Sequence, residues 1–400
     1  MDSLKFDYDR YVMPTYGRFD LDLVRGHGCV VEDVRGKSYL DFGAGIAVCS
    51  LGHSHPEVTR AVCEQAALLV HTSNLYRTIP QARLAKRLVE ITGAGKVFFC
   101  NSGAEANEGL IKLARKFGSA TGRTKILTFQ NSFHGRTMAC ISATGQDKVK
   151  KGFEPLLSGF LHLPFCNLDA VRSEAKEDVC AVLVEPIQGE GGIHIASPEF
   201  LRGLREICNE HKILLLFDEV QCGLGRTGDF CAWRTICADV EPDGVSWAKG
   251  IANGFPLGAF WATNRPLADE GPICDLLGPG SHGTTYGGNP VSCAAALAVL
   301  NEINEKNLLE NVRLMGRRLL NSLQKAGVPC RGIGLMVGIL IPSGVSSRTF
   351  VEQLHLRGLL SVSAGESVVR LLPPLNVSAE EIDQAVAIVL DAWSACELEA

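Results

Sequence analysis

The chain has 400 residues, 46% hydrophobic and 21% charged, a balance that excludes a disordered tail or a fibrous repeat and is long enough to build a large core. Its 39 basic and 44 acidic side chains leave a net charge of −5, so no basic field is available to hold a nucleic acid. Apolar runs such as 213–217 and 254–263 fall far short of the roughly 20 residues of a membrane helix. The 15 cysteines lack a CxxC pair and Met1-Asp2-Ser3-Leu4-Lys5 carries no apolar leader; both lead us to expect a cytoplasmic protein.

Positions 1–56 read as an N-terminal segment that packs on a C-terminal lobe, and His55-Pro56-Glu57 has the form of a helix start. Runs of β-branched and aromatic residues predict strands at 96–100, 125–129, 181–185, 213–217, 244–247 and 257–262. One helix follows the natural caps Asn101 and Ser102, because Ala106, Leu110, Leu113, Ala114 and Phe117 recur at helical spacing; another follows Pro198. From Asn289 the pattern becomes a long helical stretch through about Leu323, then short strands near 332–341 and 368–372, and a final helix from about Ala379. Alternating strands and helices predict an α/β protein with a largely parallel sheet. That sheet belongs to a large domain at 57–300, and a smaller α+β domain combines 1–56 with 301–400.

Four stretches carry residue types suited to chemistry. Asn101-Ser102-Gly103-Ala104-Glu105 lies between a strand and a helix, where free amides and the helix dipole favour an anion; an ordinary capped turn has the same pattern. Asp218 follows the run 213–217 at the edge where open α/β sheets place ligands, with Glu219 and Gln221 after it. A buried carboxylate there needs a partner, either a structural arginine or a protonated ring nitrogen. Lys249 follows the apolar approach 244–248; a lysine is ordinarily a solvated charge, but a desolvated amine loses its proton and attacks carbonyls. Phe133-His134-Gly135-Arg136 joins an aromatic face to a guanidinium, and Arg370 precedes Leu371-Leu372-Pro373; either arginine suits a carboxylate or a structural role.

Two patterns point elsewhere. Gly223-Leu224-Gly225-Arg226-Thr227-Gly228 fits the glycine string of a nicotinamide-dependent oxidoreductase, but Asp218 to Cys222 separate it from its strand and Asp229 puts an acid where a pyrophosphate would sit. His53 and His55 resemble a metal pair without further ligands at supporting spacing, so no metal is expected.

The order of phosphate seat, aromatic with arginine, strand-end aspartate and lysine resembles the class III pyridoxal-phosphate-dependent aminotransferases. The similarity runs from Gly26 to about Leu375 and includes YLDFGAGIAVCSLGHSHPEV, NSGAEANE, FHGRT, EPIQGEGG, DEVQCGLGRTG, AKG and HGTTYGGNP. It implies fold type I, with a mainly parallel seven-stranded sheet in the large domain, and a homodimer whose active sites are shared between subunits. It makes Lys249 the Schiff-base lysine of pyridoxal 5'-phosphate and Asp218 the acid paired with the pyridine nitrogen. Phe133 is expected to stack on the ring and Gln221 to contact its phenolic oxygen. Ser102, Gly103 and Ala104 are expected to hold the phosphate, with Thr285 from the other subunit. Arg136 is expected to receive the substrate's α-carboxylate, Thr284 to lie beside the substrate, and Glu190 with Arg370 to form a gate that changes between half-reactions.

HTSNLYRTIPQ at 71–81 and SHGTTYGGNPVSCAAALAVL narrow the resemblance to members acting on N-acetyl-L-ornithine. The implied reaction is ping-pong transfer of the ω-amino group to 2-oxoglutarate, giving N-acetyl-L-glutamate 5-semialdehyde and L-glutamate, a step of arginine biosynthesis. Ornithine, 4-aminobutyrate, succinylornithine and N-succinyl-diaminopimelate are the alternative donors. Arg77 and Ile79 replace a commoner Tyr and Glu near the entrance, and Ile251-Ala252-Asn253 stands where many relatives carry glycines. Outside the class, the rivals are the oxidoreductase of 223–228 and a catalytically silent binding protein of the same fold.

Overall fold

The computed structural model describes residues 2–267 and 271–399. Seven strands form the central sheet: β1 (Gly95–Cys100), β2 (Lys125–Phe129), β3 (Phe160–Leu163), β4 (Val179–Val184), β5 (Leu214–Asp218), β6 (Gly244–Trp247) and β7 (Gly258–Thr263). Their order is β1-β7-β6-β5-β4-β2-β3, with β7 antiparallel to both its neighbours and the remaining pairs parallel. β4 and β5 are buried along their whole length, and they are near-continuous apolar runs because both faces of the sheet are covered. Leu214 and Leu216 pack on one face with Leu110 and Leu113, while Leu215 and Phe217 pack on the other with Phe200 and Leu204.

The first of those faces is covered by α1 (Gly103–Ser119), which Ser102 caps by accepting the Glu105 amide at 3.2 Å. A Cβ at Gly109 would lie 2.2 Å from the Phe260 ring on β7, so only glycine lets this helix sit so close to the sheet. The two ends of the chain meet in a smaller unit. Leu359–Leu360 adds in parallel to Ser38–Asp41 of the N-terminal segment, and the strands Cys330–Ile333, Met336–Leu340, Val368–Leu371 and Val362–Ala364 form an antiparallel sheet in that order. Among the described residues no helix is long and apolar enough to cross a membrane.

Strands form close to the bounds expected from the sequence, and helices begin at Pro56, Gly103, Pro198 and Ala379. Elements that were not expected also form, among them the helix Ile79–Thr92, and two further differences are informative. β3 is an additional short edge strand after Gly159, and Phe-Leu-His-Leu has too little alternation to announce it. The long helical stretch after Asn289 is two helices, α2 (Pro290–Glu305) and α3 (Leu308–Lys325), divided at Asn307 with φ 51° and ψ 41°. The apolar period persists on both sides of the break, so periodicity alone does not see it; asparagine tolerates the left-handed conformation better than other residues with a Cβ.

Asn307→Val should therefore lower stability by roughly 1–2 kcal/mol, because a β-branched residue resists that conformation, whereas Asn307→Gly should stay near the parent. Urea unfolding midpoints at fixed protein concentration check this, and equal losses in both variants would place the cost elsewhere.

Candidate active site

The parallel strands turn their carboxyl ends to one edge of the sheet, and the loops leaving that edge carry the chemistry. β1 leads to Ser102, β2 to Phe133 and Arg136, β4 to Glu185 and Glu190, β5 ends on Asp218, and β6 leads to Lys249. They converge on a cavity of about 400 Å³ lined by Ser102, Gly103, Ala104, Phe133, Arg136, Glu190, Asp218, Gln221 and Lys249, with Val48 reaching in from the N-terminal segment.

Asp218 is buried, and its Oδ2 accepts from Asn107 Nδ2 at 2.7 Å and from His134 Nδ1 at 2.8 Å, while Oδ1 accepts from the Val220 amide at 3.0 Å. Asn107 is fixed in turn: its Oδ1 accepts from Ser246 Oγ at 2.6 Å and its Nδ2 also donates to the His134 carbonyl at 2.8 Å. An ionised carboxylate only accepts, so His134 carries its proton on Nδ1, and Nε2 is buried with no partner among the described residues. The network supplies the donors that a buried anion requires.

Lys249 follows Ala248 beyond β6 with φ 44°, a left-handed backbone that costs roughly 1–2 kcal/mol for a residue with a Cβ. Withdrawal from water pushes its amine down to about 8, against the opposing pull of Glu190 and with Arg370 adding to the effect. Glu185 accepts from the Phe133 amide at 2.9 Å and the Gly189 amide at 3.3 Å. Burial and the neighbouring Asp218 charge hold the Glu185 carboxyl well above the usual range.

Arg370 is 1% exposed, and its NH1 donates to Glu190 Oε1 at 2.8 Å and Gln221 Oε1 at 2.7 Å, while NH2 donates to the Ser363 carbonyl at 2.8 Å. Burial works to raise the Glu190 carboxyl, but the Arg370 and Lys249 charges hold it below its usual value. The Arg136 guanidinium lies over the Phe133 ring at 5.5 Å from its centroid. Three of the expected residues lie outside the lining of this cavity: Arg370, which reaches it through Glu190 and Gln221, and the two threonines. Thr284 Oγ1 accepts from Asn101 Nδ2 at 3.1 Å, and Thr285 lines a separate small cavity with His71, Asn74, Tyr76 and Gln81.

The glycine string at 223–228 is no nucleotide loop: Arg226 is buried within it and donates to the carbonyls of Leu335 and Pro373. The histidine pair is also divided, His53 binding Asp41 at 2.7 Å and His55 facing Glu302 at 3.7 Å.

Residues 11–392 match the family model of the class III aminotransferases. The chain belongs to that family. The acetylornithine aminotransferase of Gloeobacter violaceus is 46% identical over 392 residues, which cover 96% of this chain and 95% of that one. The ornithine aminotransferase of Toxoplasma gondii superposes with a TM-score of 0.93 at 30% identity, over 100% of this chain and 95% of the other. The N-acetylornithine aminotransferase of Stenotrophomonas maltophilia superposes with a TM-score of 0.82 at 34% identity, over 100% of both chains.

Class III aminotransferases use pyridoxal 5'-phosphate, and the donor set at this cavity fits that molecule. The positive end of α1 suits its phosphate, the anchored Asp218 carboxylate its basic ring nitrogen, and the desolvated Lys249 amine its aldehyde. Asn107, His134, Ser246 and Glu185 are not among the residues expected from the sequence. Their signals are local but faint: Asn107 is a polar residue on the buried face of α1, and Glu185 follows an apolar strand as Asp218 ends one.

In cofactor-free protein, reductive methylation of Lys249 should rise as the pH passes about 8, where the neutral amine takes over, well below the ordinary lysine range of about 10.4. Mass mapping of labelled peptides against pH checks this; a Lys249 profile that rises only in the ordinary lysine range would remove the desolvation.

Proposed function

We propose that this aminotransferase moves the ω-amino group of N-acetyl-L-ornithine to 2-oxoglutarate, giving N-acetyl-L-glutamate 5-semialdehyde and L-glutamate in arginine biosynthesis. The observation that carries the reading is the different state of the two guanidinium groups. Arg136 has no carboxylate partner among the described residues, whereas Arg370 is neutralised by Glu190 at 2.8 Å. A donor with one carboxylate and a distant amine needs only Arg136; a dicarboxylate needs Arg370 as well. The 46% identity to a protein named acetylornithine aminotransferase, spread over nearly the whole chain, supports the same donor.

The cofactor, when bound, supplies a carbonyl that takes up amines and an electron sink for the carbon that loses its proton. Lys249 would hold it covalently, and the Lys249 Nζ would serve as the base for the proton on the substrate's amine-bearing carbon and as the acid that returns it. Asp218 would pair with the ring nitrogen through a carboxylate that Asn107 and His134 hold in place. Phe133 would cover the ring and Gln221 would contact its phenolic oxygen. Ser102, Gly103 and Ala104 would receive the phosphate, and Glu190 would release Arg370 when a second carboxylate arrives.

Thr284 and Thr285 enter through a homodimer in this reading, Thr285 completing the phosphate seat of the other subunit. The support is the exposed apolar side chains on the segments that line the second cavity, Leu75 at 86% exposed with Tyr76 and Tyr286. The many buried thiols suit the reducing cytoplasm.

Glutamate formation from 2-oxoglutarate with N-acetylornithine, ornithine, 4-aminobutyrate, succinylornithine and N-succinyl-diaminopimelate tests the donor; N-acetylornithine should have the highest kcat/KM, and preference for another would replace it. Asp218→Asn should slow turnover by about a thousandfold or more, on the order of 4 kcal/mol of barrier, and a variant within tenfold of wild type would make Asp218 structural. Arg370→Ala should slow the glutamate half-reaction far more than the acetylornithine one in single-turnover absorbance, and equal losses would remove the gate.

A further inference from the structure

Glu190 sits at the tip of a hairpin formed by Ile187–Gln188 and His194–Ile195. The tip is rich in glycine, at 189, 191 and 192, and Gly192 and Ile193 have φ of 107° and 58°. This hairpin leaves the central sheet after β4 but docks on the four-stranded sheet of the small domain. Ile187 and Ile193 share a buried cluster with Met336 and Leu372. A Cβ at Gly338 would lie 3.0 Å from Ile193 Cγ1, so the absent side chain there makes room for the hairpin.

Beside the Arg370 contact to Glu190, a second guanidinium of this sheet holds the hairpin backbone. Arg331 donates to the Gly192 carbonyl from Nε at 2.9 Å and from NH2 at 2.6 Å, and NH2 lies 3.1 Å from His194 Nε2. Burial and the Arg331 charge hold the His194 imidazole below its usual pKa, so it stays neutral and accepts. Gly338 also stands opposite Arg370 in the register of the same sheet. Both members of the Glu190–Arg370 pair are therefore mounted on one sheet, Arg370 within a strand and Glu190 through the carbonyl of Gly192.

We propose that Arg331 is a positioning residue that sets how strongly Glu190 competes for Arg370, and thereby the balance between the ω-amine and dicarboxylate half-reactions. The inference rests on the gate reading above. Two parallel donors on one carbonyl fix both the position and the direction of the tip, which a lysine reaching with one ammonium cannot do. Without them a glycine-rich tip regains backbone freedom, Glu190 must be ordered to reach Arg370, and Arg370 is free for a second carboxylate more of the time.

The test uses holoenzyme carrying Arg331→Met, Arg331→Lys, Glu190→Gln, the Arg331→Met/Glu190→Gln double variant, and Arg370→Ala. Calorimetry reads the affinity for glutarate, a dicarboxylate with no amine, and single-turnover absorbance reads each half-reaction. Arg331→Met should bind glutarate about three- to tenfold more tightly, raise the glutamate rate relative to the acetylornithine rate, and add nothing on the Glu190→Gln background; Arg331→Lys should recover part of the difference. Gly192→Ala, whose Cβ would lie 3.2 Å from Arg331 NH2, crowds the same guanidinium from the loop side and should shift both readouts the same way, which covers a failure of Arg331→Met to fold. Equal changes in both half-reactions, or full additivity with Glu190→Gln, overturn the role of Arg331 when Arg370→Ala still loses glutamate selectively. If Arg370→Ala slows both halves alike, the gate itself fails and this inference with it.

Discussion

A carboxylate at the inner end of an apolar strand must be given hydrogen-bond donors or it will not stay charged. Asp218 receives them from parts of the chain that only this sheet order brings together: Asn107 from the helix after β1, His134 from the loop after β2, and Val220 beyond its own strand, with Ser246 on β6 holding Asn107 from behind. The parallel arrangement places all of these at one edge, and the cavity lies where they meet. Removing one donor leaves a buried charge short of a partner, so the fold of the large domain and the charge state of the site depend on each other.

The remaining charges follow the same logic of pairing under desolvation. Lys249 is the amine that burial shifts toward neutrality, Glu190 is kept ionised by Arg370, and Glu185, close to Asp218, is pushed the other way. Arg370 lies 1% exposed with donors to Glu190, Gln221 and Ser363, and a guanidinium so buried is stable only when several acceptors surround it. The small domain contributes this arginine and also grips the loop that carries its carboxylate partner. Substrate selection and domain packing thus share one sheet.

The N-terminal segment takes part by a strained route. Ala44, Gly45, Ile46 and Ala47 all have positive φ, a left-handed turn that L-residues adopt rarely. Asp41 holds it, its Oδ1 accepting the Gly43 and Ala44 amides at 3.0 and 2.8 Å and its Oδ2 binding His53 at 2.7 Å. The turn delivers Val48 to the cavity wall, which accounts for a histidine that resembles a metal ligand in the sequence yet serves a carboxylate.

Much of this was legible in the sequence because it is local. Apolar runs define β4 and β5, Ser102 announces the start of α1, and the chemical types of Asp218 and Lys249 stand out where such runs end; motif resemblance adds the family. The break at Asn307 and the edge strand β3 were not legible, since a continuing apolar period and a short strand of three half-buried residues and one buried residue give no local signal. The pairing of Glu190 with Arg370 was implied by the resemblance, but no sequence window contains the reversed direction of β7 or the hold of Asn107 and His134 on Asp218. Those were decided only by the tertiary structure. They depend on which strand ends become neighbours and which charges lose water together, and both are set by burial summed over residues far apart in the chain.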